Sequence, residues 1–290
     1  MKFGRNYIFD VQASDGSMIS VTYPMTLEFA VRKDINPSAN TGTFRLYNLD
    51  QLTRNRIYKD PIITTDNDMK LLQVRAGYGG NMPFIFYGEV KEAGSYRQEG
   101  TTNFITQVDG YDGASSRVQS TSNWTMQGPC SKNDVVNRLL SDLEKTGVHI
   151  GKVSDIPGDC PRGYVASGYT WDILAKETDN HCFIDNNVAN VLDDVTTIDG
   201  SEFVISSETG LLGVPKKTDM YLTCEILFEP SLYLGQKVTV NSRSFQLYNG
   251  TYKIVELDHM GVISGAVGGK CKTIVRLWVL KRVSELAGII

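Results

Sequence analysis

Three histidines, His149, His181 and His259, and five cysteines, Cys130, Cys160, Cys182, Cys224 and Cys271, are the residues of this 290-residue chain best suited to proton transfer, nucleophilic attack or soft-metal binding. A nucleophilic triad needs a base beside its nucleophile and an acid to orient the base. No G-x-S-x-G elbow accompanies these histidines. His181-Cys182 together with Cys130 and Cys160 offers zinc donors, but structural zinc sites draw on closely paired C-x2–4-C ligands, and the chain has none. Scattered cysteines in odd number give no complete disulfide framework and read as buried thiols. The stretch SGAVGGKCK (264–272) fails as a phosphate loop. Ser264 stands where the first glycine is required, Cys271 replaces the hydroxyl residue, and a strand pattern follows. GYGG (77–80) lacks the helix that a dinucleotide fingerprint needs. Asp66/Asp68 and Asp193-Asp194 lie in polar, turn-like surroundings, whereas general acid catalysis needs an enclosed carboxyl. The sequons at Asn123 and Asn249 carry no weight without a secretion signal. The expectation is a protein that is not an enzyme, with no catalytic residues, no cofactor and no metal.

The elements that would position functional side chains are mostly strands. Residues 23–32 alternate, with Met25, Leu27, Phe29 and Val31 on one face. Residues 71–76 and 84–90 repeat the pattern around a glycine-rich hairpin tip, and residues 104–111 add a strand. In GTFRLYNLDQLTRNRIYKD (42–60) a strand runs directly into a short helix. Asn48 reads as its N-cap with Gln51 at N3, Leu49, Leu52 and Ile57 form its apolar edge, and Arg54, Arg56 and Lys59 face outward.

The texture changes near residue 128. Ser131 followed by Asp134 caps a helix whose apolar face is Val135, Val136, Leu139, Leu140 and Leu143. Thr170 caps a second helix over Trp171, Leu174 and Ala175, and HCFIDNNVANVLDD (181–194) reads as a hairpin turning at Asn186-Asn187. From residue 201 six strand candidates follow: SEFVISS, LTCEILF, QKVTVNS, SFQLYNG, TYKIVELDH and CKTIVRLWVL. In the last, Ile274, Arg276, Trp278 and Leu280 alternate with Thr273, Val275, Leu277 and Val279, so a core covers one face and a partner the other. The terminal KRVSELAGII closes on apolar side chains suited to a partner.

Net charge is −4, which disfavours a protein built to grip nucleic-acid phosphates. A hydrophobic share of 41% supports ordinary cores, and no apolar run approaches a membrane span. The N-terminal residues lack the apolar region of a signal peptide, so synthesis and folding in a cytoplasm are expected.

Several segments taken together resemble bacteriophage tail hub proteins. FRLYNLDQLTRNRI followed by LLQVRAGYGGNMPFIFYGEV is similar to their N-terminal barrel. PRGYVASGYTWDILAKETDN with CFIDNNVANVL is similar to their middle domain, and SSETGLLGVPKKTDMYLTCEILFEPSLYLGQKVTV with GTYKIVELDHMG to their second barrel. The likeness runs in order over residues 25–280. One departure is the long 259–270 loop, where a shorter Gly-Asp turn is expected.

The resemblance implies a mainly β fold with an α+β insertion: two tube-like β-barrel domains, 1–125 and 199–290, flanking a small α/β middle domain, 126–198. It implies a homotrimeric virion protein, assembled in the host cytoplasm, at the distal end of a tail tube. There it would join the sixfold tube to a threefold spike or tip and line the DNA channel. The implied partners are the tail tube protein, the C-terminus of the tape-measure protein, the central spike or tip protein and the baseplate or distal tail proteins. DNA would pass without specific binding. Arg54, Arg56, Lys59 and Trp278 are the expected subunit-interface residues. The alternatives are a tail-associated carbohydrate- or receptor-binding protein, a cell-wall hydrolase, and the hub of a phage-derived contractile injection system. Trp124 remains the aromatic without an assigned role.

Overall fold

The computed structural model describes residues 3–60, 69–218 and 220–282. Asp66, Asp68 and the apolar end of the chain lie outside them. The fold is mainly β. Its strands are β1 (Arg5–Gln12), β2 (Met18–Thr22), β3 (Leu27–Asp34), β4 (Thr41–Tyr47), β5 (Leu71–Tyr78), β6 (Phe84–Arg97) and β7 (Phe104–Tyr111), with helix α1 (Gln51–Ile57) after β4. Then come α2 (Ala114–Gln119), β8 (Thr121–Met126), β9 (Cys130–Ser131), α3 (Lys132–Glu144), β10 (His149–Val153), β11 (Asp159–Cys160), β12 (Tyr164–Tyr169), α4 (Thr170–Glu177), β13 (Cys182–Asp185) and β14 (Val188–Val191). The chain continues through β15 (Ile198–Ser206), β16 (Leu211–Thr218), β17 (Tyr221–Leu227), β18 (Gln236–Asn241), β19 (Gly250–Ile263) and β20 (Cys271–Arg282).

One 13-stranded sheet runs through both β halves. Its N-terminal part has the order β3-β4-β7-β6-β5-β1-β2 and its C-terminal part β15-β18-β19-β20-β17-β16. The link is β19. Residues 250–253 pair with β18, and beyond a register break at Val255 the strand pairs with β3 from Glu256↔Asp34 to Ile263↔Leu27. Val255 turns its carbonyl to accept from Ile35 N–H at 3.1 Å. A single strand thereby belongs to both halves.

The expected closed barrels differ from what the ladders show. Among the described residues no ladder joins β2 to β3 or β15 to β16. The reason is that a strand has two edges, and β3 spends them on β4 and β19. At the other seam β16 contains Pro215, which lacks an N–H and is tolerated only at an edge or bulge.

Alternation fills the interior as the pattern requires. Leu27, Phe29 and Val31 point inward, and Phe9, Phe44 and Phe86 form an edge-to-face chain with ring centroids 5.6 and 5.5 Å apart. A second cluster holds Leu222, Cys224, Ile226, Val238, Val240 and Val275. A third lies between α3, α4 and the β10-β14-β13 sheet. Clusters cross the chain's segments: Phe228 packs at 5.5 Å from Phe29, and Phe183 joins the C-terminal cluster. β8, which spans position 125, pairs with β12.

The Ser131–Asp134 capping box forms on α3 as the spacing requires. Other local expectations are corrected. Asn48 takes φ 57° and Asp50 caps α1, accepting from Thr53 N–H at 3.0 Å, so the helix begins later. Tyr169 rather than Thr170 precedes α4, because the Thr170 hydroxyl is buried against Ser120 and Ser122. SFQLYNG forms a short 3-10 turn at Gln246–Tyr248 instead of a strand, and β16 is a strand absent from the six expected.

Candidate assembly surface and three-way junction

Helix α1 is fixed to the sheet by Ile57, fully buried, and Leu49 beside it. Its cations are turned back onto the chain. Arg54 lies 4.1 Å over the Phe104 ring, and Arg56 donates to Asp15 Oδ2 at 3.1 Å and Ser17 Oγ at 2.5 Å. Lys59 corrects the expected outward set: it is 7% exposed, and its Nζ donates to Val90 O at 2.7 Å. Leu52, expected on the apolar edge, is instead 70% exposed, and Tyr58 is exposed beside it. What α1 offers a neighbour is therefore an apolar ridge flanked by engaged arginines.

Trp278 occupies the outer face of β20, half-buried, with its ring 5.8 Å from Tyr221 of the paired strand. Thr273, Val275 and Leu277 are buried on the opposite face, so the core side of the strand is as expected. In the ladder order α1 follows β4 while Trp278 lies on β20. β16 pairs with β17 on one side and, among the described residues, with no strand on the other, and it exposes Leu212, Val214, Lys216 and Lys217. Lysines and a proline on such an edge strand discourage indiscriminate edge-to-edge pairing.

One enclosed polar cluster is a junction that the sequence pattern did not reveal. Lys33, on the inward register of β3, donates to Asp185 Oδ1 at 2.6 Å and Asn186 Oδ1 at 3.0 Å. Asp112, fully buried just after β7, accepts from Asn186 N–H at 2.6 Å and Asn187 N–H at 3.2 Å. Asn40 donates from Nδ2 to Ile184 O at 2.8 Å. The β13–β14 turn can offer both N–H groups because Asn186 and Asn187 adopt φ of 51° and 64°, the left-handed pair of a type I′ hairpin. Burial, then the Asp185 charge, raises the Asp112 carboxyl to about 7, with Lys33 and the two N–H donors pulling the other way. His259, buried beside Phe228 and bonded to Thr273 Oγ1 at 2.9 Å, is pushed down to about 3 by burial and by Lys33. The missed signal was Lys33 itself, two places after Val31 on an otherwise apolar inward row.

The 259–270 segment also proves to be a clasp. Gly265 N–H donates to Pro24 O at 3.0 Å, Thr26 and Ser264 hydroxyls meet at 2.6 Å, and Arg5 donates to Gly269 O at 2.5 Å. It ties the C-terminal hairpin to the N-terminal strands.

These groups hold elements of the fold together. His149 stands at the start of β10, and His181 lies 3.5 Å from Asp194. Among the described residues no group of His, Cys, Asp or Glu is placed to hold a metal ion, and no helix is long and apolar enough to cross a membrane. Trp124 donates from Nε1 to Asp142 Oδ2 at 2.7 Å, and Trp171 to Pro37 O at 3.0 Å under the Arg117 guanidinium. Both indoles are thus internal fixings.

Residues 159–261 match the family described as "Baseplate hub gp41". No curated protein matches the chain's sequence significantly. Among solved structures, a tail protein from Neisseria meningitidis MC58 aligns with TM-score 0.58 at 11% identity, over 97% of this chain and 98% of that one. The prophage MuSo2 43 kDa tail protein from Shewanella oneidensis aligns with TM-score 0.60 at 7% identity, over 94% and 98%. An Escherichia coli type VI secretion component, described as structurally similar to the T4 phage tail proteins gp27 and gp5, aligns with TM-score 0.56 at 7% identity, over 89% and 74%. The resemblance to phage tail and baseplate hub proteins holds: the chain shares the fold of these tail proteins, and its residues 159–261 match the baseplate-hub family.

Proposed function

We propose that this protein is a non-enzymatic hub subunit of a phage tail, forming a homotrimer at the distal end of the tail tube. Each subunit contributes two tube-like β units, approximately residues 1–125 and 199–290, flanking the α/β segment 126–198. Three subunits then present six similar β units around a channel and meet a threefold spike or tip on the other side. The observation that carries this reading is the fusion of two β units through the shared strand β19, in a chain matching a baseplate-hub family. A shared strand fixes the angle between the units, which a ring of alternating units requires, and the buried Lys33–Asp185–Asp112 junction ties the first unit to the α/β segment.

Closing a ring from such subunits pairs different surfaces of successive copies. The exposed α1 ridge, the outer face around Trp278 and the edge of β16 are the surfaces this reading assigns to neighbours. The tube protein, the tape-measure C-terminus, the spike or tip and the surrounding baseplate proteins are the proposed partners. The net charge of −4 suits a channel that lets DNA slide without holding it. The type VI neighbour favours one second reading, the hub of a contractile injection device derived from a tail. Electron-microscopic class averages of the purified protein, with its tube protein added, test the proposal. Threefold rings with a near-sixfold outline and an open centre are expected. Compact monomers that stay monomeric with the tube protein present refute it.

A further inference from the structure

Cys130 and Cys160 are separated by 29 intervening positions, yet the fold makes them direct cross-strand partners. β9 and β11 are two-residue strands paired antiparallel, with Cys160↔Cys130 and Asp159↔Ser131 in register. Lys132 N–H donates to Gly158 O at 2.9 Å, and by the parity of an antiparallel ladder this makes Cys130 and Cys160 a hydrogen-bonded pair. Such partners have Cα atoms about 5.5 Å apart, inside the range of roughly 4.4–6.8 Å that a disulfide spans. The Cys130 thiol already reaches toward Cys160 O at 3.9 Å. Both residues are half-buried, while Cys182, Cys224 and Cys271 are buried.

We propose that Cys130 and Cys160 form an oxidisable dithiol which closes into a reversible disulfide when a disulfide oxidant such as oxidised glutathione is present. One thiolate of the pair attacks a glutathione disulfide sulfur, forming a mixed disulfide and releasing one glutathione thiolate. The second protein thiol loses its proton to solvent and attacks the protein sulfur of that mixed disulfide, releasing the second glutathione. Two protein thiols are oxidised and one glutathione disulfide is reduced to two thiols. The chain stays in the dithiol form where glutathione is kept reduced and closes outside the cell. The pair lies at Ser131, the N-cap of α3, so the bond staples the entry of α3 to β11 and loops the chain around the helix. Cross-strand Cβ separation at a hydrogen-bonded pair, about 5.5 Å, exceeds the roughly 3.5–4.5 Å of a disulfide, so closure draws the two short strands together and leaves a readily reducible bond. Burial raises the Cys130 thiol, so closure is expected to be slow and to speed up with rising pH.

The test is to incubate the folded full chain with oxidised glutathione, denature it, alkylate, and map the peptides by mass spectrometry. Three of the five cysteines alkylated, with a Cys130–Cys160 cross-linked peptide that dithiothreitol removes, is the expected result. The Cys160→Ser variant is expected to stop at one glutathione retained on Cys130, since the resolving thiol is gone. The oxidised wild type is expected to melt several degrees higher than the reduced form, and the variant to show no such shift. Five alkylated cysteines, a cross-link to a different cysteine, or wild-type protein that retains glutathione on Cys130 or Cys160 overturns the proposal.

Discussion

Replacing Asp112 with Asn tests whether the junction is a titrating element of the fold. The Asp112 carboxyl sits at about 7 in the folded protein, against about 3.8 for an ordinary aspartate. Because the folded value lies above the unfolded one, its stabilising contribution is complete below about pH 4 and is lost as pH rises through about 7. About 3 units at about 1.4 kcal/mol each give a loss of about 4 kcal/mol across that window. Asp112→Asn removes this dependence while keeping one acceptor for the Asn186 and Asn187 N–H groups. The variant also carries a constant cost for the acceptor it lost, so the slope and not the offset is diagnostic. His259 acts in the opposite sense. Its folded value lies below the unfolded one, so its contribution is complete above about pH 6.5 and is lost as pH falls from there toward about 3. His259 is present in both proteins, so it cancels in the difference. Urea unfolding followed by tryptophan fluorescence, from about pH 4.5 to about pH 8, supplies the comparison. Because the scan begins above the unfolded value, the variant is expected to gain on the wild type by about 3 kcal/mol of that total toward the alkaline end. Parallel profiles would show that Asp112 stays ionised throughout and that Lys33 and the two N–H donors outweigh its burial.

Two further outcomes follow from the same joint and from the sheet edge. Lys33→Met leaves Asp185 and Asp112 buried without their cation and is expected to cost about 3–5 kcal/mol in urea unfolding, with Asp185→Asn added in the double variant recovering part of the loss. Replacing Lys216 and Lys217 together by Val removes the charges that guard the β16 edge and is expected to increase concentration-dependent association in light scattering without loss of thermal stability.

Residue pattern and order alone determined the mainly β character, the α3 capping box and the Asn186-Asn187 hairpin. Each is set within a few residues: alternation by the strand period, the cap by Ser131 and Asp134, the turn by two residues that tolerate positive φ. The order of weak motifs also determined the tail-hub resemblance that the family match supports. Side-chain destination followed less well. Arg54, Arg56 and Lys59 were legible as cations on or near a short helix, but only tertiary packing decided that Phe104, Asp15 and Val90 would claim them. Asn48 read as the cap of α1, but the turn leaving β4 puts it at φ 57° and gives the role to Asp50. The single sheet was likewise invisible in the pattern, because pairing between β3 and β19 joins residues more than two hundred positions apart. Local propensity carries no information about which of many strand edges a given edge will meet. The tertiary fold likewise brings Lys33, Asp112 and Asp185 from three segments into one buried cluster, where their charges acquire partners that no spacing in the sequence records.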